Sequence, residues 1–450
     1  MEELKGNRIS DISLIILLIA LIGLLLIPII IGSNSFKMLA LVLIITVVLF
    51  ASVENAIKAM MFFIHAIALM VFPGLPFSAY SILVLVLIIK LILARPDMNV
   101  FSVLMTFVLF AMVLTNISNN NLQEYIAWGI NIVMLLMMFS YLPKKSSRFY
   151  TGIFRFYILG NVFAAFLGIF IRAFFPKVNF FYKNYSAIQY TRSFITNRFT
   201  GLMRDPNYFS QAILVSIAII AFYKLHRKKL FKHEWLSNCM LFILIMFGFL
   251  SYSKMFIISF LVLFVYYNYA NQRFNYNRFF LTMGAVLLTV PLVLKFWGDY
   301  ILRIFYALSL RFSIGDLSSG RFDKLVEGFD SLLDNPTILI RGIGSGSGIH
   351  NFIDSSLHNT FFEYLVAYGI IGSIVFVLAF VYLMYKSGHR TTKKAYILLV
   401  VLMTSSMSLD GLLADWHYLY LALILIMFEL DKLFKGDIYE YHNIYKRLSS

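Results

Sequence analysis

ISLIILLIALIGLLLIPIIIG, residues 12–32, contains one hydroxyl side chain and no charge. A helix that crosses a bilayer needs about 20 mostly apolar residues, and this run has that length. A secretory leader has an apolar core of only about 7–15 residues followed by a small-residue cleavage site. This run is longer and carries no A-x-A site, so it reads as a first membrane span.

The rest of the chain repeats that composition. Of 450 residues, 60% are hydrophobic and 13% charged, whereas soluble domains average about 45–50% apolar and about 25% charged. This excludes a soluble enzyme with a membrane tail, a disordered protein and a disulfide-stapled secreted domain. Cys239 is the single cysteine, so no internal disulfide forms and no thiolate cluster exists. The net charge of +16 would point to nucleic acid in a soluble protein. In a membrane protein it reads instead as cytoplasmic loops held by Lys and Arg, and no nucleic-acid partner is expected.

Apolar runs mark spans near 12–32, 37–53, 57–73, 79–94, 99–116, 125–142, 153–174, 208–223, 237–252, 255–270, 279–297, 361–385, 395–412 and 417–433. The reading is an all-α polytopic membrane protein of about 14 transmembrane helices, forming one domain over 1–450. With that number, both termini share a side, and roughly two thirds of the 38 Lys and Arg fall there. The positive-inside rule makes that side the cytoplasm. Two connections are long, 175–207 and 298–360, and both are expected outside. The first breaks the charge rule: Arg172, Lys177, Lys183, Arg192, Arg198 and Arg204 are set against one acid, Asp205. In the second, Phe322, Leu325, Val326, Phe329, Leu332 and Leu333 recur at helical spacing, predicting an amphipathic helix over 321–334. Asn335-Pro336 ends it.

Three spans running outside to inside begin with unusual polar residues, near Asn207, Lys254 and His358. Asp205 makes a good N-cap and Pro206 a good first helical residue. Helix N-termini beside Arg and Lys attract phosphate, so three on one face point to a diphosphate-bearing ligand. The bland alternative is that each cation merely snorkels to headgroups. His65, Lys58 and Lys90 read as helix–helix hydrogen bonding or snorkelling. His226, His233, His389 and His442 read as solvated, and His417 as part of an interfacial aromatic belt. The Gly342–Gly348 run is an anion nest or, more simply, a flexible loop. No metal-ligand spacing and no G-x-S-x-G nucleophile motif appears.

Taken together, Arg198-x3-Leu202, Asp205-Pro206-Asn207, Ser253-Lys254, Ser319-Gly320-Arg321, the Gly342–Gly348 run and His358-Asn359-x9-Gly369-x2-Gly372 resemble the O-antigen ligase and polymerase superfamily over about 195–385. Lys254 stands where an arginine is more usual, and His350-Asn351 lacks the downstream glycine spacing. The resemblance implies a glycosyltransferase-C-like helical membrane fold in the bacterial cytoplasmic (inner) membrane. It implies metal-independent, inverting transfer with no cofactor, and undecaprenyl-diphosphate-linked oligosaccharides as donor and acceptor. By the same resemblance His358 is the general base, Arg198, Arg204 and Arg321 bind the diphosphate with Lys254 secondary, and Asp205, Asn207, Asn359, Gly369 and Gly372 support them. The chemistry is consistent: guanidinium groups stabilise a diphosphate leaving group, and a histidine accepts the proton of the attacking sugar hydroxyl. The expected function is polymerisation of capsular, exopolysaccharide or O-antigen repeat units, alongside a chain-length regulator and a flippase. A ligase is the sibling alternative, and a lipid-linked oligosaccharide flippase or transporter the alternative of another class. A transporter needs polar side chains along the middle of several spans; in the sequence they collect at helix ends.

Overall fold

The computed structural model describes residues 10–72, 78–94, 122–143, 145–175, 199–203, 205–271, 321–343, 359–409 and 415–449. The side chains of 122–128, 172, 321–324, 415–417 and 437–449 lie outside that description. The described chain is helical and contains no strand, only one isolated bridge between Val71 and Ser78. In order come α1 (Asp11–Ile31), α2 (Asn34–Phe50), α3 (Val53–Phe63) running into a 3-10 segment (Ile64–Leu69), and α4 (Ala79–Leu93). Then follow α5 (Leu122–Tyr141), α6 (Ser147–Phe174), α7 (Pro206–Leu225), α8 (Glu234–Leu250) and α9 (Lys254–Ala270). The amphipathic helix α10 (Arg321–Leu333), a short α11 (Pro336–Arg341), α12 (Thr360–Gly388), α13 (Ile397–Ser406) and α14 (Asp415–Ser449) complete the set.

The helices start where small polar residues can satisfy the first free N–H groups. Ser10, Ser52, Ser78, Ser146 and Ser253 each accept from the backbone N–H three residues on. Asp205 accepts from Asn207, and Asn359 from both Phe361 and Phe362. Four helices, α1, α6, α7 and α12, are long and apolar enough to cross a membrane. Large apolar side chains point away from the bundle, among them Ile12, Phe50 and Leu378. That is the surface of a helical membrane protein. The expected spans 99–116 and 279–297 lie outside the described residues.

The runs 57–73 and 395–412 differ from their sequence reading. The run 57–73 is not one helix: α3 tightens into the 3-10 segment at Ile64, and Ala66 leaves helical geometry (φ −113°, ψ 16°). Every residue from Ala56 to Met70 is buried, so neighbours rather than lipid surround the irregular backbone, as a break at membrane depth requires. Within 395–412 the described α-helix is Ile397–Ser406, and a short 3-10 turn, Lys393–Tyr396, takes the first residues of the run.

At the centre sits α7, packed against α6, α8, α9 and α13. Its interior positions are almost all buried, including Ser210, Gln211 and Ser216. An ordinary amphipathic helix has a polar stripe facing water; α7 is enclosed on every side, so its few polar groups must find partners inside the protein.

Candidate functional site

The three polar helix starts gather at one end of the bundle. Asn207, in the first turn of α7, accepts at Oδ1 a hydrogen bond from Ser253 Oγ at 2.8 Å, joining the start of α7 to the cap of α9. One turn deeper, Ser210 Oγ and Ser251 Oγ are 2.7 Å apart, and Ser251 also donates to the Gly248 carbonyl. On another face of α7, Gln211 Nε2 donates to Ser405 Oγ (2.8 Å) in the last turn of α13. The residues that follow α13 then meet the start of α12: Thr360 Oγ1 donates to the Leu409 carbonyl at 2.6 Å, and Asn359 Nδ2 reaches that of Met407 at 3.4 Å. Three sequence motifs separated by up to about 150 positions thus share one end.

Two helix N-termini and a cationic side chain meet at this end. Lys254 is the first residue of α9 and is 9% exposed. It therefore sits at the positive end of one helix dipole, beside the positive end of α7. The Asp205 carboxylate is committed to the cap of α7, with Oδ1 2.6 Å from the Asn207 N–H. The loop before α7 is held tightly: Gly201 (φ +57°) rests on Gly168 of α6, where an added Cβ on Gly168 would come within 2.8 Å of the Gly201 carbonyl oxygen.

Gly369, carried in the motif only by its spacing, has a physical role. It adopts φ +62°, ψ −172° inside α12, a region essentially restricted to glycine. The break lets α11 dock. Gly342, also at positive φ, lies against Ala367 and Tyr368, and the Ile343 N–H donates to the Val366 carbonyl at 3.0 Å. Gly372 is buried in the same helix. The amphipathic helix α10 comes next to the start of α12. Leu325, Val326, Phe329 and Asp330 line one wall and Asn359, Phe361, Phe362 and Leu365 the other of a groove of about 500 Å³.

The structure therefore joins Asp205, Asn207 and Lys254, and brings Asn359 to the same end. Arg321 opens α10, with its side chain outside the description. His358, Arg198, Arg204 and His350 lie outside the described residues. Ser251 belongs to the polar run that opens α9, whereas Ser210 was missed as a member of this network; its signal was a small polar residue in an otherwise apolar span. Among the described residues no three His, Cys, Asp or Glu side chains converge.

Two other readings need correction. His226 is not solvated. Its side chain is 4% exposed, and Nε2 lies 2.8 Å from Asp431 Oδ1 of α14, a close contact that is not aligned as a hydrogen bond. Asp431 also accepts from the Thr392 N–H and Oγ1 at 2.6 and 2.7 Å. His233 and His389 are exposed as expected, while the side chains of His417 and His442 lie outside the description. Polar groups are also not confined to helix ends: His65, Asn161, Gln211 and Ser216 are buried midway along their helices. Lys58 is bonded to Asp11 and Glu54, each at 2.7 Å, and Lys90 donates to the Ala51 carbonyl, so both do link elements within the bundle.

No protein-family model and no curated protein matches this chain.

Proposed function

We propose that the chain is a polysaccharide polymerase of the outer face of a bacterial cytoplasmic membrane, with both termini in the cytoplasm. It joins undecaprenyl-diphosphate-linked repeat units by metal-independent, inverting glycosyl transfer. The observation that carries the reading is the meeting of two helix N-termini beside a buried Lys254, with the Asn359-capped helix start at the same end. A lipid diphosphate supplies the negative charge that such a site attracts. In this reading Lys254, Arg198, Arg204 and Arg321 hold the diphosphate leaving group. His358 takes the proton from the acceptor hydroxyl as the glycosidic bond forms on the opposite face of the sugar.

The test is a reconstituted reaction of purified protein with a defined lipid-linked repeat unit. Polymer is expected from the wild type and from His350→Ala, and none from His358→Ala at equal protein level. The reverse pattern for the two histidines refutes the assignment of the base. In cells, deletion of the gene leaves lipid-linked single repeats; full-length polymer retained on the carrier identifies a ligase instead. One observation favours the transporter reading: polar side chains do lie midway along α6 and α7. Flux of a labelled lipid-linked oligosaccharide across proteoliposomes, without polymer, would establish it.

A further inference from the structure

Away from the proposed catalytic end, the middle of the bundle holds hydrogen-bond acceptors with no donor. Asn161 of α6 donates through Nδ2 to Ser216 Oγ of α7 at 2.9 Å. The orientation of that amide follows from the hydroxyl. Ser216 Oγ is 3.1 Å from the Ala212 carbonyl, which can only accept, so the hydroxyl proton is spent there and Ser216 receives from the amide nitrogen. Asn161 Oδ1 is left without a partner. The same logic applies to Gln211: Ser405 spends its proton on the Leu402 carbonyl, accepts from Nε2, and leaves Gln211 Oε1 bare. His65 faces the Tyr157 carbonyl through Nε2 at 2.9 Å, so that nitrogen carries the proton and Nδ1 is a third bare acceptor. All three side chains are at most 1% exposed.

These three atoms are all acceptors, so none can pair with another, and a guest that donates would satisfy them. The elements that carry them are in contact: Tyr157 receives from His65 at its carbonyl and donates through its hydroxyl to the Ala212 carbonyl at 3.3 Å, next in sequence to Gln211. His65 also lies in the 3-10 segment that breaks the α3 span, pressed on α6 where a Cβ at Gly160 would come within 3.1 Å of its ring. Irregular backbone at membrane depth occurs where it is buried in protein or lines a wet cavity, and discontinuous helices near the midplane are where membrane proteins build polar sites.

We infer that the centre of the bundle binds water, donated to His65 Nδ1, Asn161 Oδ1 and Gln211 Oε1. Water suits this mixed nitrogen and oxygen acceptor set because each molecule brings two donors and needs only 2–4 polar partners. The inference is independent of the polymerase reading.

X-ray radiolytic footprinting of the full-length protein in lipid nanodiscs tests it, since hydroxyl radicals formed from bound water modify the side chains beside it whatever their bulk exposure. Tyr157 and Tyr420, both 0% exposed with rings 6.2 Å apart, are expected to be modified at least tenfold faster than the equally buried Phe154 and Phe222. Asn161→Leu is expected to reduce that rate; if the variant fails to fold, the wild-type comparison alone decides. Tyrosine rates equal to those of Phe154 and Phe222 overturn the inference. Tyrosine rates suppressed by sodium chloride but not by choline chloride also overturn it, because they place a cation there instead of water.

Discussion

Replacing Gly369 by alanine tests the physical basis of the glycine motif. A Cβ at that position meets the Ile340 carbonyl oxygen at 2.3 Å, its carbon at 2.5 Å and the Arg341 nitrogen at 2.7 Å. All three are backbone atoms, so no flexible side chain can swing aside. Holding a non-glycine residue in this backbone region costs roughly 1–3 kcal/mol, and forcing packed atoms apart adds roughly 1–3 kcal/mol. The joint penalty of about 2–6 kcal/mol exceeds the roughly 1 kcal/mol of the Ile343–Val366 hydrogen bond that holds α11 in place. The expected result is therefore release of α11 from α12 and a clear drop in melting temperature of detergent-solubilised protein, followed by fluorescence-detected size exclusion. Gly23→Ala is the control. It sits in α1 with nothing within 4 Å of an added Cβ, and alanine gains about 0.5–1 kcal/mol in a helix interior. Identical melting of Gly369→Ala and wild type would refute the account of the break.

The remaining predictions address topology, the polar network, the opposite end and the anion site. Single cysteines at Ser186 and Ser347 in a Cys239→Ser background are expected to react with an impermeant thiol reagent in intact spheroplasts; labelling only after lysis inverts the orientation. Ser253→Ala removes the bond to Asn207 and the cap of α9, for an expected loss of about 1–2 kcal/mol in thermal stability, and an unchanged melting curve would count against the link. Asp431→Ala strands the Thr392 donors and His226 and is expected to cost about 3–5 kcal/mol, whereas a change under about 1 kcal/mol would mean water replaces the carboxylate. Lys254→Met, close in length but neutral, is expected to fold as wild type and lose most of the transfer activity; retained turnover would remove Lys254 from the diphosphate site.

Helix starts were legible because their signal is local. Asp205-Pro206 and Ser253 announce a cap within three residues, and the structure places helices there. The amphipathic α10 was legible for a similar reason, since its apolar positions repeat at a fixed spacing. The break at Ile64–Leu69 was not. Residues 57–73 are apolar throughout apart from Lys58 and His65, and hydropathy cannot separate an α-helix from a 3-10 turn when neighbours on every side supply the packing. His226 was misread because its partner, Asp431, lies about 200 positions away. Asn207 and Lys254 were singled out from motif spacing; what spacing could not reveal was the Asn207–Ser253 bond that brings them together, or Ser210–Ser251 behind it.

The two ends of α7 differ in what answers the helix dipole, and the difference bears on where the proposed ligand would bind. At its C-terminus the free carbonyls face a negative dipole end, and Lys394 Nζ answers it by donating to the Leu225 carbonyl at 2.9 Å. Burial draws the Lys394 ammonium below the ordinary lysine range, Asp431 opposes that shift, and Arg227 adds to it. Asp431 in turn engages His226 and Thr392. Cation, dipole and carboxylate are matched there, so this end is complete as a structural joint. At the N-terminus two positive helix ends meet, with Asp205 capping α7 and Lys254 opening α9. Paired helix N-termini favour an anion, and this is why the proposed lipid diphosphate is assigned to this end of α7 and not to the other.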